Sequence, residues 1–219
     1  MQSVTATPTI QRPLRRDAMR NRARIVASAR ELFAADGIEA SVEEITRHAG
    51  VGMGTLYRHF ATKDELIDAV LEDAFGEWVA AAQRALAEPD AWTGFRSFLE
   101  QALMLHVANR ALKDVLGGRD HDLPRAEAMR ARMRPLLRRL IERAQAQGSL
   151  RADFALEDMP LLFWSSDRVI EATSAAAPEL WRRHLGMLLD GLRAEAATPL
   201  AVSPMTPAQL ARTTGRRPG

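Results

Sequence analysis

Cysteine is absent from the 219 residues, and tyrosine occurs only once. Without a thiol the chain forms no disulfide and offers neither a cysteine nucleophile nor a thiolate ligand. No apolar run approaches the roughly 20 residues that a membrane-spanning helix requires, and the N-terminus lacks the apolar stretch of a secretory signal peptide. We therefore expect a cytoplasmic protein that does not enter a membrane.

The short motifs of common enzyme classes are also missing. The sequence contains no G-x-S-x-G, no Walker loop and no H-E-x-x-H, and its five histidines show no ligand spacing. Asp120, His121 and Asp122 are adjacent in a Gly-rich loop, where three neighbouring side chains cannot easily close on one ion, so a plain loop is favoured over a metal site. We expect no catalysis, no metal and no cofactor.

Runs of β-branched residues are scarce, aromatic residues make up 5% of the chain, and Ala, Leu, Arg and Glu dominate, which favours an all-α protein. Charge is distributed unevenly. Residues 1–63 hold ten Lys/Arg against six Asp/Glu, whereas residues 64–195 hold seventeen against twenty-two. A basic amino-terminal part attracts phosphate, and the acidic remainder argues against a protein that coats nucleic acid along its whole length. Six arginines between residues 130 and 143 are more typical of the solvated faces of an amphipathic helix.

The most informative segment is residues 41–60, SVEEITRHAGVGMGTLYRHF. Ser41 and Glu44 have the spacing of a capping box at the start of a helix, and Gly50 supplies the left-handed residue that ends it. A second short helix is predicted from about Gly52 to Phe60. Two short helices around a Gly-centred turn are typical of a helix-turn-helix, whose second helix enters the major groove of DNA.

The same part of the chain resembles the TetR family of transcriptional repressors. The resemblance extends from about Arg20 to Leu71, through ARELFAADGIEASVEEITRHAGV and GTLYRHFATKDEL, matched in order at the family's spacing. It implies C-terminal helices that dimerise and middle helices that enclose a small-molecule pocket. The chain departs from the pattern at Gly52 and Met53, where family members often carry Ser or Thr and then Lys or Arg, residues that commonly touch phosphate.

Candidate DNA contacts lie on and next to the second short helix. Gly54 permits a close approach to base edges, and Thr55 can touch a thymine methyl group or donate a hydrogen bond. Lys63 is a candidate phosphate clamp at the start of the following helix. By the resemblance, Tyr57 and His59 match a phosphate-contacting pair of the family.

Four further polar side chains have two interpretations each. Arg58 can reach a guanine or a phosphate, and Ser41 can cap its helix alone or also donate to phosphate. Arg47 and His48 can contact DNA, but an ordinary solvated surface is favoured for both.

We expect four parts along the chain. A disordered basic arm over residues 1–16 precedes a three-helix DNA-binding head over residues 17–62. A helical ligand-binding and dimerisation body follows over residues 63–196, and a Pro-containing flexible tail over residues 197–219. A helix predicted from about Lys63 to Ala87, roughly 37 Å long at ~1.5 Å per residue, joins head and body.

Aromatic and methionine side chains on the middle helices are candidates for the ligand pocket, because they suit an irregular apolar site. The alternative is that they are ordinary core residues, and His106 in particular is either a satisfied core histidine or a polar handle for a ligand. The candidates are Phe75, Trp78, Phe98, Leu105, His106, Met129, Met133 and Trp164.

Apolar residues recur at intervals of three and four along the last two predicted helices, near Glu157 to Ala175 and near Pro178 to Ala196. The second of them is apolar on more than one side, so it needs a further partner besides its own core, and a second copy of the chain can be that partner. Two helices from each copy then form a four-helix bundle. The candidate interface residues are Phe163, Val169, Ile170, Trp181, Leu185, Leu188 and Leu192.

These features together predict a dimeric TetR-type repressor that binds a palindromic operator and is released by a small, largely apolar ligand. Its partners would be double-stranded DNA, a second copy of the chain and a small-molecule effector, with no membrane. Two alternatives remain open. One is a helical small-molecule-binding protein or enzyme with a vestigial head, and the other is a constitutive DNA binder or an activator.

Overall fold

The computed structural model describes residues 11–108 and 124–213. Within these ranges the chain is helical and forms no strand, apart from one isolated antiparallel bridge between Leu150 and Arg193. The all-α prediction is therefore confirmed. None of the described helices combines the length and the apolar character that crossing a lipid bilayer requires.

The first of two compact units, Met1–Val70, contains the helix-turn-helix. Its helices are α1 (Gln11–Asp36), α2 (Val42–Ala49), α3 (Met53–His59) and the first residues of α4 (Lys63–Ala87). α1 packs against both α2 and α3. Completely buried side chains fill the space between them, and burial of each contributes about 1.5–3 kcal/mol. They include Ile25, Phe33, Ile45 and Leu56.

Both ends of α2 are fixed by the residues that the sequence indicated. Ser41 Oγ accepts a hydrogen bond from Glu44 N at 3.1 Å, which satisfies one of the free donors at the start of the helix. Gly50 has φ +62°, and its N–H donates to Arg47 O at 3.2 Å. A Cβ atom at Gly50 would lie 2.6 Å from Arg24 Nη2, so both the backbone and a neighbouring side chain favour glycine here.

The second unit, Leu71–Gly219, contains the remainder of α4 and the following described helices. These are α5 (Ala91–Ala108), α6 (Pro124–Ala146), α7 (Met159–Thr173), α8 (Leu180–Leu192) and α9 (Pro207–Thr213). α5 packs against α6, α7 and α8, and α7 packs against α8. Phe95, Phe98 and Leu99 of α5 are fully buried at the centre of this unit.

The C-terminal segment, which its prolines predict to be a flexible tail, contacts the helices of the second unit. Arg151 Nη2 donates to Thr198 O at 2.7 Å, and Arg151 Nη1 donates to Gly191 O at 3.2 Å, so one guanidinium joins the tail to the end of α8. Leu210 of α9 is buried. The sequence did not indicate this, because a single buried leucine among prolines and polar residues leaves no periodic pattern.

The amino-terminal arm predicted over residues 1–16 overlaps the first helix. α1 begins at Gln11, so residues 11–16 are helical, and residues 1–10 lie outside the described ranges. Pro13 does not prevent this, because proline is tolerated in the first turn of a helix, where its missing N–H would have no partner. The basic residues at positions 12, 15 and 16 thus belong to the first turns of α1.

The ion pair between Arg151 and Asp153 is expected to make the second unit less stable at acid pH than at neutral pH. The side-chain hydrogen bond from Arg151 lowers the pKa of Asp153 from 3.8 to about 2. A carboxylate whose pKa is lowered by folding contributes stability above its unfolded pKa, and the contribution disappears as the pH falls through the folded pKa.

Asp153→Asn is therefore expected to lower the free energy of unfolding by a constant amount from about pH 5 to about pH 7. The difference from the wild-type protein should shrink between about pH 4 and about pH 2, because the wild-type carboxylate is progressively protonated as the pH approaches its folded pKa. Urea denaturation followed by circular dichroism at each pH measures this difference. An undiminished difference at pH 2 would contradict the assignment.

Candidate nucleic-acid interface and ligand cavity

α3 divides its residues between the core of the first unit and solvent. Leu56 is fully buried, and Phe60, which follows the helix, is almost fully buried. Gly54, Tyr57 and Arg58 are exposed. Because α3 contains no acidic residue and ends with Arg58 and His59, its outward surface is suited to a polyanion.

The remaining predicted DNA contacts are less exposed. Thr55, His59 and Lys63 are half-buried, and so is Ser41, whose Oγ accepts the bond that caps α2. Their polar groups therefore lie at the edge of the surface that Gly54 and its exposed neighbours form. Arg47, in the last turn of α2, is exposed.

Met53 is half-buried at one of the two positions where the chain departs from the family pattern. Thr46 Oγ1 lies 3.5 Å from Met53 Sδ and donates to Glu43 O at 2.9 Å. Met53 thus packs against α2. Gly52 precedes it as the N-cap residue of α3, without a side-chain hydrogen bond, so neither residue presents a charged or hydroxyl group to a phosphate.

The first turn of α4, which begins with Lys63, is capped by its own sequence. Glu65 N donates to Thr62 Oγ1 at 3.1 Å, which is the first bond of a capping box. Glu65 Oε2 accepts from Ala61 N at 2.8 Å, so the reciprocal bond closes one residue before Thr62. These bonds fix the backbone from which the Lys63 side chain extends.

Two arginines of α1 support the helix-turn-helix, and the sequence motif did not identify them. Arg24 Nη2 donates to Gly50 O at 3.3 Å, directly at the turn between α2 and α3. The Arg22 guanidinium lies 5.1 Å from the centroid of the Phe60 ring, within the range of a cation–π contact. Their spacing of two residues within a helix gives no pattern from which either role could be inferred.

A cavity of about 130 Å³ lies within the second unit, where α4, α5, α6, α7 and α9 contribute side chains. Its walls are mainly apolar and include two methionines and three aromatic rings. The apolar lining residues are Met133, Leu137, Leu156, Met159, Pro160, Phe163, Trp164 and Leu210, together with the Trp78 ring. Such a lining suits a small organic molecule.

Several predicted pocket residues line this cavity, and others do not. Those that do are Trp78, His106, Met133 and Trp164, whereas Phe75, Phe98, Leu105 and Met129 are not among its lining residues. Phe75 and Phe98 are buried core residues instead, and the Phe98 ring stacks on Trp78 with 6.4 Å between centroids. The lining also contains Arg130, Arg134 and Asp167, charged residues that were not among the predicted pocket residues.

The structure corrects part of the predicted dimer interface. Trp181 is 2% exposed and Leu185 is 4% exposed, so both belong to the core of their own chain. α8 turns these two residues inward together with Leu189, because α5 and α7 cover that side of the helix. Phe163 lines the cavity and lies 5.1 Å from the His106 ring.

The other interface candidates, Val169, Ile170, Leu188 and Leu192, are half-buried. α7 and α8 nevertheless expose large apolar side chains, namely Leu161, Leu180 and Met187.

Residues spaced by four and three share a helix face, which groups Leu161 with Ser165 and Leu180 with His184 and Met187. Ser165 Oγ lies 3.2 Å from His184 Nε2, so the two faces adjoin. We call the surface formed by these five residues the α7–α8 face.

Metal binding receives no support from the part of the chain that the structure describes. Within residues 11–108 and 124–213 no three His, Asp or Glu side chains lie close enough together to hold an ion. The adjacent Asp120, His121 and Asp122 lie outside those ranges.

Two protein-family models match the chain. "Bacterial regulatory proteins, tetR family" matches residues 25–70, which include the helix-turn-helix. "Transcriptional regulator SbtR-like, C-terminal domain" matches residues 89–194, which include most of the second unit. The two models thus cover both the candidate DNA-binding surface and most of the cavity.

Individual relatives agree with these models. The chain is 36% identical to a TetR transcription regulatory protein from Mycobacterium vanbaalenii, over 83% of this chain and 99% of that one, with a TM-score of 0.51. A Bacillus subtilis regulator, FadR in complex with stearoyl-CoA, shares the fold at 16% identity, with a TM-score of 0.61 over 78% and 98% of the two chains. An HTH-type transcriptional regulator of Staphylococcus aureus is 45% identical over 60 residues, which are 27% of this chain and 32% of that relative.

Proposed function

Because the chain belongs to the TetR family of transcriptional regulators, we propose that it is a dimeric repressor released from a palindromic operator by a small, largely apolar ligand. The observation that carries this proposal is the outward surface of α3. It combines a glycine, an exposed tyrosine and an exposed arginine, has no acidic residue, and is anchored by the fully buried Leu56.

In this proposal some residues of α3 contact bases and others contact phosphates. Gly54 and Thr55 approach base edges, where a small side chain and a hydroxyl group can be accommodated. Tyr57 and His59 contact phosphates, which fixes the register of α3 on the duplex. Arg58 binds a guanine edge or a phosphate.

Two residues outside α3 complete the proposed contact surface. Ser41 can donate its hydroxyl proton to a phosphate while its oxygen accepts the capping bond from Glu44 N. Lys63 adds an ammonium group at the start of α4, where the free N–H groups of the first turn also favour an anion. Met53 and Gly52 provide no such group, so this chain relies on fewer phosphate contacts than the usual family pattern.

We assign dimerisation to the α7–α8 face. Its three exposed apolar side chains lie around the polar Ser165 and His184 pair. A cluster of large apolar side chains on a surface is typical of a site that contacts another protein. A two-fold axis at this face buries the same side chains from both copies. Two copies of α3 then read the two halves of a palindrome, spaced by about one turn of DNA, ~34–36 Å.

The cavity in the second unit is the proposed effector site. The Bacillus subtilis relative is described in complex with stearoyl-CoA, so in that protein the fold accommodates an acyl-CoA. In this chain the apolar lining favours a ligand that is mostly hydrocarbon. A ligand releases DNA only if it binds more tightly to a dimer conformation in which the two α3 helices no longer match the operator. A preference of ~1.4 kcal/mol for that conformation changes the population ratio of the DNA-binding and released conformations tenfold.

The experiment that tests this proposal is a mobility-shift titration with DNA that flanks the protein's own gene. A repressor of this kind should bind a palindromic segment in preference to a scrambled duplex, and its affinity should fall steeply with salt concentration. Equal affinity for both duplexes would contradict operator recognition.

Tyr57→Ala tests the phosphate assignment. Loss of the tyrosine side chain should weaken binding to operator and to scrambled DNA alike, by roughly tenfold, because a hydrogen bond to a charged group contributes about 1.5 kcal/mol. The effect should be equal because a phosphate contact does not depend on the base sequence. Tyr57→Phe, which removes only the hydroxyl group, is the matched control and should reproduce most of the loss. Fluorescence anisotropy with both duplexes measures the effect, and a change confined to base preference would disprove the assignment.

A further inference from the structure

Two buried nitrogen atoms of the cavity residues lack a hydrogen-bond partner among the described residues. Trp78 and His106 are each 7% exposed, and Trp78 Nε1 and His106 Nδ1 have no such partner. Both residues line the cavity. A buried polar group without a partner is unfavourable in a folded protein, and each such group calls for an explanation.

The surroundings of the two nitrogen atoms differ, but neither atom has a hydrogen-bond partner among its protein neighbours. An indole N–H is only a donor, and the Trp78 ring is otherwise stacked on Phe98. His106 Nδ1 lies 3.7 Å from Asp167 Oδ1, which is beyond hydrogen-bonding distance, and its ring packs against Phe163. Nε1 of Trp78 has almost no accessible surface in this structure, so a ligand in the cavity that carries an oxygen acceptor would provide its missing partner once the indole turns toward the cavity.

The charged residues of the lining do not favour one sign of charge. Arg130 and Arg134 are basic, and Asp167 is acidic. Arg134 Nη2 forms an ion pair with Glu157 Oε1 at 3.3 Å, so its charge is already balanced by a protein carboxylate. A free anion would therefore meet a lining that contains both signs.

We propose that the effector is a neutral, mainly hydrocarbon molecule with a carbonyl or similar oxygen, which accepts a hydrogen bond from Trp78 Nε1, with His106 as a second polar partner. This inference rests on the proposed function, because it names the ligand class of the same effector site. A cavity of about 130 Å³ is similar in size to one of ~150 Å³ that holds benzene, so a substituted benzene is a suitable probe.

The test compares three probes of similar shape by isothermal titration calorimetry with the full chain at neutral pH. Acetophenone carries the carbonyl, α-methylstyrene replaces the carbonyl oxygen by a CH₂ group, and benzoate carries a negative charge. We expect acetophenone to bind at least tenfold more tightly than either of the other two probes, because only it satisfies the indole donor without adding charge.

Trp78→Phe keeps an aromatic ring and removes the N–H donor. In this variant the affinity for acetophenone should fall to that for α-methylstyrene, whereas the affinity for α-methylstyrene should be nearly unchanged. Trp92→Phe is the matched control, because Trp92 is also buried in the second unit but does not line the cavity. It should retain the tenfold preference, and circular dichroism establishes that both variants are folded.

The outcomes separate this inference from the proposed function. Equal binding of acetophenone and α-methylstyrene by the wild-type protein, or tighter binding of benzoate, would overturn the neutral-acceptor inference and leave an effector site in the cavity. Binding of none of the three probes would overturn both the inference and the cavity as an effector site. The wild-type comparison decides the matter even if Trp78→Phe does not fold.

Discussion

In the proposed dimer, Met187→Arg is expected to separate the two chains and thereby to lower operator affinity by more than a hundredfold. Met187 is 58% exposed in the isolated chain, so arginine at this position leaves the fold of the chain intact. In a dimer formed through the α7–α8 face, the same arginine is buried without a partner and also meets its own symmetry mate. An uncompensated buried charge costs about 3–5 kcal/mol, which corresponds to more than two powers of ten in the dimer dissociation constant.

Sedimentation velocity over a concentration series measures the first part of this prediction, and anisotropy with operator DNA measures the second. Val202→Arg is the matched control, because it adds the same charge to an apolar residue that is 80% exposed in the C-terminal segment of the same unit. It should leave both quantities unchanged. An unaltered dimer in Met187→Arg would remove the α7–α8 face as the interface. Trp181 is unsuitable for this test, because arginine there would disrupt the core of the chain itself.

Gly54→Leu is expected to have opposite effects on stability and on DNA binding. A Cβ atom at Gly54 meets no atom within 4 Å apart from the backbone of its own helix, so a side chain fits in the unbound protein. Replacing glycine within a helix stabilises it by up to about 1 kcal/mol. On DNA, however, the leucine would hold α3 away from the bases and break the neighbouring contacts. At ~1–3 kcal/mol for each base contact, operator affinity should fall by about a hundredfold.

Gly76→Leu is the matched control for this substitution. Gly76 lies in α4, and a Cβ atom there also meets no neighbour within 4 Å. The control should gain a similar amount of thermal stability and keep its operator affinity. Differential scanning calorimetry and anisotropy titration on the three proteins give both quantities. Full operator affinity in Gly54→Leu would show that α3 does not approach base edges at this residue.

The first unit was predictable from sequence because its signals are local. Ser41 and Gly50 act on backbone groups within a few residues, so the two ends of α2 could be predicted without knowledge of the packing. The same applies to α4, which the structure bounds at Lys63 and Ala87, as the sequence predicted. Arg24 was missed because its contact with Gly50 joins residues 26 positions apart.

α8 shows where periodicity stops being informative. The helix is apolar on two sides, and the spacing of its residues does not say which side faces its own chain. From their spacing, Trp181 and Leu185 were predicted to contact a partner, whereas α5 and α7 cover them. Met187 and Leu180, which were not among the candidate interface residues, are the large apolar residues of α8 that remain exposed.

The cavity was predictable only in part, because its walls come from segments that are distant in the sequence. Trp78 and His106 could be suspected from the helices on which they lie. Leu210 could not, because it follows a Pro-containing stretch that was expected to be flexible. Arg130 and Arg134 were missed for a different reason, since a helix rich in arginine is normally solvated on its basic face.

We propose that two copies of α3, joined through the α7–α8 face, read one palindrome together. Sedimentation velocity of a labelled operator duplex, titrated with the protein alongside a scrambled duplex, tests it most directly. We expect a complex that contains two chains for each operator duplex, forms at lower protein concentration than on scrambled DNA, and weakens as salt rises. One chain for each duplex, or equal affinity for operator and scrambled DNA, would contradict it.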